Sequence, residues 1–379
     1  MPFTLVEDQE PFEALIERAV TTQQVALDTE AASFHRYHDR VYLVQLTAAD
    51  ETSVIDPLTL DSLDPLGRLL ADPAVEKVFH DADYDLRLLY HEFKFSARRL
   101  FDTRIAAQLL GEPSIGLGGL LELYFGIRPD KRFQRADWSA RPLTDGMLDY
   151  AAGDTSHLNE LRDILRDKLI EKNRLAWAEE EFGLLESTRW EGGVADPREG
   201  FIRLKGARVL DRRGLALLRE LFDWRETTAS RLDRASFRVM GNEVLLQLSA
   251  HPVTSLEELA KVRGIGRDVA DRRGGELLAA IERGLAVPEA ELPRFARGPR
   301  RPEADPAFEL RVEKLKASRN ALAEQLGLLP GVLCPNGTLE AIARAAPESV
   351  EAMAGIPGLR EWQRMELGAE LLQAMTATT

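Results

Sequence analysis

The chain has 379 residues, 44% of them hydrophobic and 30% charged, with a formal net charge of −14 and one cysteine, Cys334. That length predicts two or three domains with real cores. The acidic balance excludes a protein that coats nucleic acid by bulk positive charge, a lone cysteine excludes an internal disulfide, and no apolar run approaches a membrane helix. Met1 to Glu10 carries acids where a signal peptide would be basic, so a cytoplasmic protein without a membrane partner is expected.

In chain order, Val25-Ala26-Leu27-Asp28-Thr29-Glu30 is an apolar run leading into two acids. Alternate residues of a strand share a face, so Asp28 and Glu30 point the same way. Two such carboxylates repel unless a cation lies between them. The pair reads either as a divalent-metal site or as a strand end facing water. Val41–Leu46 and Ser53–Asp56 read as strands able to pair with it. Pro57–Leu70 has helical leucine spacing, and Val75–His80 reads as a further strand. Helices are expected around Asp85–Tyr90, Thr103–Leu110, Leu117–Phe125 and Asp145–Lys172. Early strands followed by helices predict a mixed α/β domain. Gly192, Gly193, Pro197 and Gly200 mark a linker, and five prolines between Val287 and Pro306 mark another.

The expected boundaries are a first domain at 1–191, a linker at 192–202, a helical domain at 203–286, a Pro/Arg-rich linker at 287–304 and a second helical domain at 305–379. The two helical segments read as diverged copies. Leu218, Leu221, Trp224, Arg225 and Ala229 in one are echoed by Leu315, Arg319, Ala323 and Leu326 in the other. Each then has a strand-like or extended break, a leucine-rich helix and a glycine turn, at Gly264-Ile265-Gly266 and at Gly355-Ile356-Pro357-Gly358.

Further features bear on the opening acids. Asp83 and Asp85 stand where a strand gives way to a helix, as an N-cap and a first-turn acid or as part of a site. Tyr150 and Asp154 lie i, i+4 on one helix face, where a hydroxyl beside a carboxylate can orient water. Phe101-Asp102-Thr103 and Asp137-Trp138-Ser139-Ala140-Arg141 read as structural or substrate-facing connections. His157, His35 and His38 read as ordinary helix-face and loop residues.

These residues together resemble the ribonuclease D group of DEDD-type 3′→5′ exonucleases, over essentially the whole chain. Leu27-Asp28-Thr29-Glu30 is similar to the first motif, His80 through Leu89 with Asp85 to the second, and Tyr150-x-x-x-Asp154 to the third in its tyrosine variant. The helical copies resemble the helicase-and-RNase-D C-terminal (HRDC) domain. The resemblance implies a ribonuclease H-like α/β exonuclease domain, a mixed sheet flanked by helices, followed by two small all-α HRDC domains. It implies that Asp28, Glu30, Asp85 and Asp154 hold two Mg²⁺ or Mn²⁺ ions, one activating water and one stabilising the leaving 3′ oxygen, with Tyr150 positioning the water. The expected substrate is structured RNA with a 3′ tail, such as transfer RNA precursors, cut to nucleoside 5′-monophosphates. Single-stranded DNA as substrate, or a non-catalytic nucleic-acid-binding protein, are the alternatives, and no obligate protein partner is evident.

Phe34, His80, Trp138 and Arg141 are candidate substrate contacts. The family often has an aromatic directly after the motif glutamate, where this chain has Ala31 and Ala32 with Phe34 later. Between Arg203 and Arg238 ten Lys/Arg face five Asp/Glu, which marks Lys205, Arg208, Arg212 and Arg225 as a phosphate-binding surface or a solvated helix face. Gly264 and Gly266 offer backbone N–H groups to phosphate or simply make a turn.

Overall fold

The structure is a computed structural model whose described residues are 2–190, 197–295 and 305–376. The expected linkers at 192–202 and 287–304 thus lie partly outside the described residues. Two units divide the chain. One gathers Met1–Glu30, Val41–Trp190 and Pro302–Thr379, the other Ala31–Arg40 and Glu191–Arg301. Among the described residues no helix is long and apolar enough to cross a membrane.

The first unit is built on a mixed sheet of β1 (Thr4–Val6), β2 (Gln24–Glu30), β3 (Leu43–Ala48), β4 (Glu51–Ile55), β5 (Glu76–Phe79) and β6 (Leu100–Asp102). Their spatial order is β1-β4-β3-β2-β5-β6. The central β2 is antiparallel to β3 and parallel to β5, and Val25, Ala26 and Leu27 are buried. Around the sheet lie α1 (Gln9–Val20), α2 (Asp64–Ala71), α3 (Asp83–Phe93), α4 (Thr103–Leu110), α5 (Leu117–Phe125), α6 (Asp145–Thr155), α7 (Leu158–Glu171) and α8 (Leu175–Leu185). α6 packs across β2, β3 and β4, and α7 against β2 and β5.

Two expected helices are corrected. The Pro57–Leu70 helix starts only at Asp64, because the Asp56 carboxylate accepts from Leu58 N at 3.0 Å and Asp56 O accepts from the Thr59 hydroxyl, which closes a turn instead. The single helix Asp145–Lys172 is two. The Ser156 hydroxyl donates to Gly153 O at 3.2 Å, and Asn159 Nδ2 donates to Thr47 O of β3 at 3.2 Å. Side-chain bonds that compete with the backbone ladder end α6 here.

The second unit holds α9 (Arg212–Leu232), α10 (Ser236–Val239), α11 (Asn242–Ala250), α12 (Leu256–Ala260) and α13 (Arg267–Ala286). Leu218, Leu221, Leu245, Leu248, Leu277 and Ile281 form its core. The second copy, α14 (Pro306–Leu326), α15 (Pro330–Leu333), α16 (Asn336–Ala345) and α17 (Glu361–Thr376), repeats the design. The expected extended break is, in both copies, a short helix, α10 or α15.

The kinship of the copies is written in one buried arginine. Arg225 and Arg319 are both 5% exposed. Arg225 donates to Met240 O, Asn242 Oδ1 and Glu226 Oε1. Arg319 donates to Cys334 O, Asn336 Oδ1 and Asn320 Oδ1. These three partners in the second copy follow their arginine by the same numbers of residues as in the first, and Arg319 adds a bond to Pro330 O. Arg319→Ala should cost about 2–4 kcal/mol in urea unfolding, since carbonyls are left buried without donors. Arg319→Lys should not rescue it, because an ammonium lacks the planar fork.

The second copy docks on α4 and α8. Trp177 stacks on Trp362 at 4.7 Å between centroids. Glu180 accepts from Glu361 N at 2.7 Å and Trp362 N at 2.8 Å, capping α17. Arg174 donates to Leu109 O and Leu326 O, the last-turn carbonyls of α4 and α14. Gly111 and Gly327 cap those helices at φ +75 and +64, and a Cβ on Gly111 would lie 2.1 Å from Gly327 O. Only glycine lets these two ends meet.

Candidate active site

β2 places Asp28 and Glu30 on one face, and α6 brings Asp154 to them. One oxygen from each of the three carboxylates lies within 4.8 Å of the others. One turn earlier on α6, the Tyr150 hydroxyl hydrogen-bonds Asp154. These four residues and His80 line a cleft of about 450 Å³.

Asp85 stands slightly apart from the triad. It is 6% exposed, in the first turn of α3, and its Oδ1 accepts from Thr29 N at 3.1 Å and Thr29 Oγ1 at 2.5 Å. Thr29, the residue between the two strand acids, therefore ties α3 to β2. The Asp102 carboxylate does the rest, accepting from Ala82 N at 2.7 Å while it caps α4 through Arg104 N and Ile105 N. Phe101-Asp102-Thr103 is thus scaffolding that sets where α3, and Asp85 with it, begins. Asp83 does not cap the helix and pairs with Arg87 instead.

The acids are electrostatically crowded. Loss of solvation, then the charges of Asp85, Asp154 and Glu30, hold the Asp28 carboxyl well above the usual range. Desolvation and the charges of Asp154 and Asp85 do the same to Glu30. Burial pushes Asp85 and Asp154 each up to about 7. Tyr150 is raised too, by desolvation and the charge of Asp154, so it keeps its proton. An all-oxygen donor set that repels itself in this way fits a hard divalent cation.

His80 is driven down to about 4, mainly by burial, and is neutral at pH 7. Thr103 Oγ1 lies 3.1 Å from Phe79 O and 2.9 Å from His80 Nδ1, which ties the ring to the start of α4.

Several expected contacts are placed elsewhere. Trp138 is 1% exposed and packs 6.0 Å from Tyr150, behind it rather than in the cleft. Arg141 donates to both oxygens of Asp56 and to Tyr42 O and Trp138 O, so its guanidinium is spent inside the fold. Arg225 is spent likewise. Arg212 donates to Glu289 O and Leu292 O. Gly264 sits at φ +95, where a Cβ would meet Val244 at 2.7 Å, so a turn accounts for it, and Gly266 precedes α13. Lys205 is exposed, Arg208 is exposed over the Phe295 ring, and Phe34 belongs to the second unit.

Two features escaped sequence reading. Gln45 pairs with Asp28 across β2 and β3, hence on its face, and is fully buried with neither amide atom partnered. A glutamine inside the apolar run Val41–Leu46 was the available signal. The N-terminus of α5, with Gly116, Gly118 and Gly119, also lines the cleft. It adds backbone donors suited to phosphate.

Residues 3–170 match the 3′-5′ exonuclease family, and residues 214–281 and 309–375 match the HRDC domain. The ribonuclease D of Granulibacter bethesdensis is 36% identical over 372 residues, covering 97% of this chain and 91% of that protein. The crystal structure of Escherichia coli RNase D superposes with a TM-score of 0.70 at 26% identity, covering 99% of this chain and 98% of that one. A Bifidobacterium adolescentis protein gives 0.83 at 23% identity, covering 99% and 97%, a likeness of fold. On this evidence the chain belongs to the ribonuclease D family and is a 3′→5′ exoribonuclease.

Proposed function

We infer that Asp28, Glu30 and Asp154, with Asp85, hold two Mg²⁺ or Mn²⁺ ions, and that the enzyme removes nucleoside 5′-monophosphates one at a time from the unpaired 3′ tails of structured RNA, transfer RNA precursors among them. The observation that carries this is the carboxylate triad, with oxygens within 4.8 Å of one another. Divalent ions bound there supply activation of water and relief of charge on the leaving oxygen. The chain's own residues do the remaining work. Tyr150, protonated and bonded to Asp154, orients the attacking water by its hydroxyl. Trp138 behind it fixes the ring. The α5 N-terminus faces phosphate oxygens, and the neutral His80 ring in the cleft wall meets a ribose hydroxyl, a group that RNA has in excess of DNA.

The test is digestion of a 5′-labelled RNA hairpin with a single-stranded 3′ tail, beside its DNA counterpart, with each metal. A stepwise ladder on RNA with mononucleotide product is expected. Tyr150→Phe should keep the ladder but slow it about 100-fold. No ladder with either metal sinks the reading.

A further inference from the structure

Gln45 lies inside β3, is fully buried, and neither atom of its amide has a hydrogen-bond partner. A buried amide without partners destabilises a fold, so its presence within a sheet calls for a cause.

Register sets its surroundings. Residues i and i+2 of a strand share a face. Thr47 lies two residues on, and its hydroxyl meets those of Thr155 on α6 and Thr52 on β4, each at 2.9 Å. The Gln45 side chain therefore points toward α6 as well. Ala151, one turn before Thr155, is small and fully buried, which leaves space between helix and strand for an amide. Across the sheet Gln45 pairs with Asp28 on β2 and Val54 on β4. Along its own strand the neighbours on that face are Leu43 and Thr47. Val54 and Leu43 offer no polar side chain, and the Thr47 hydroxyl is already engaged twice. Asp28 remains. Directly paired residues keep their Cβ atoms about 4.5–5.5 Å apart, a span that a glutamine amide and a carboxylate can close.

The neighbouring acids show what Asp28 would gain. Asp85 accepts a side-chain hydrogen bond from the Thr29 hydroxyl, and Asp154 accepts one from the Tyr150 hydroxyl. Asp28 accepts from the Thr29 backbone N–H, and a carboxylate has room for several donors. Outer donors of this kind hold metal-ligating carboxylates in orientation.

We propose that Gln45 is a positioning residue of the metal site, whose amide NH₂ donates to the Asp28 carboxylate as that carboxylate turns to ligate a cation. The proposal rests on the reading of the acid cluster as a divalent-metal site. Two quantities then move in opposite directions when Gln45 is replaced. The amide that destabilises the protein without metal strengthens its hold on metal.

The test uses the full-length protein, stripped of metal by chelation, beside Gln45→Met and Gln45→Leu. Calorimetric titration with Mg²⁺ and with Mn²⁺ should show affinity reduced about 10–100-fold in both variants. The melting temperature of the same metal-free variants should rise by roughly 2–8 °C, because an apolar side chain of similar volume replaces the unpartnered amide. In isotope-labelled wild type, the side-chain amide NMR signal that Gln45→Met removes should shift as Mg²⁺ is added. Affinity within about twofold of the wild type in both variants overturns the proposal while the metal reading stands, as does an amide signal that Mg²⁺ leaves in place. Variants that bind metal more weakly and also melt below the wild type make Gln45 a packing residue, which overturns it too. A wild type that takes up neither ion overturns the metal reading of the acids, and this inference with it.

Discussion

Asp28→Asn will abolish exonuclease turnover and, in the same protein, raise the melting temperature of the metal-free form. The loss follows from a ligand set that can no longer hold its cation. Metal stabilisation of transition-state charge is worth several kcal/mol, so at 1.36 kcal/mol per decade the rate should fall by at least about 10³. The gain follows from the same crowding. Asp28 sits desolvated among the charges of Asp85, Asp154 and Glu30, and a neutral isostere removes that repulsion, worth ~1–3 kcal/mol at an effective dielectric near 20. Rate assays with calorimetry of chelated protein check both halves. A variant that is inactive because it melts below the wild type would refute the argument.

The second large effect is on pH. A carboxyl whose folded pKa lies above its unfolded value stabilises the fold below the unfolded value, and that contribution is lost as pH rises through the folded one. Asp85 and Asp154 move from 3.8 to about 7, and Asp28 and Glu30 are raised as well. The metal-free exonuclease domain should therefore lose stability between about pH 4 and 7, opposite to the acid lability of most folds. A drop of roughly 5–10 °C in its melting transition is expected, at 2–4 °C per kcal/mol. Mg²⁺ or Mn²⁺ should restore the loss at pH 8 and do little at pH 5, where protons hold the sites. Metal-free melting that climbs steadily from pH 5 to 8 would exclude this.

What the sequence makes legible is what local geometry dictates. Asp28 and Glu30 share a face because strands alternate, and Tyr150 and Asp154 because helices turn every 3.6 residues. The repeat was legible through Arg225 and Arg319, whose buried bonds keep the same spacing. What was not legible depends on partners far along the chain. Asp102 reads as a structural or a substrate-facing residue alike until its bond to Ala82 is seen. Arg141 reads as a substrate contact until Asp56 claims it. No residue type at 31–40 announces that this stretch leaves its own domain for another. The break after Thr155 is hidden because every residue around it tolerates a helix, and the bonds of Ser156 to Gly153 O and of Asn159 to β3 decide otherwise.

The Trp177–Trp362 stack has a consequence in time. The two rings are 185 residues apart, and synthesis runs at about 5–20 residues per second. For roughly 10–40 s on the ribosome, the nascent exonuclease domain therefore carries a bare indole, an unanswered Glu180 and an open helix end. The seam closes only when the last helix emerges. During that interval the newborn enzyme is a client for whatever in the cell shields apolar surface, and fast translation of the C-terminal half shortens the exposure.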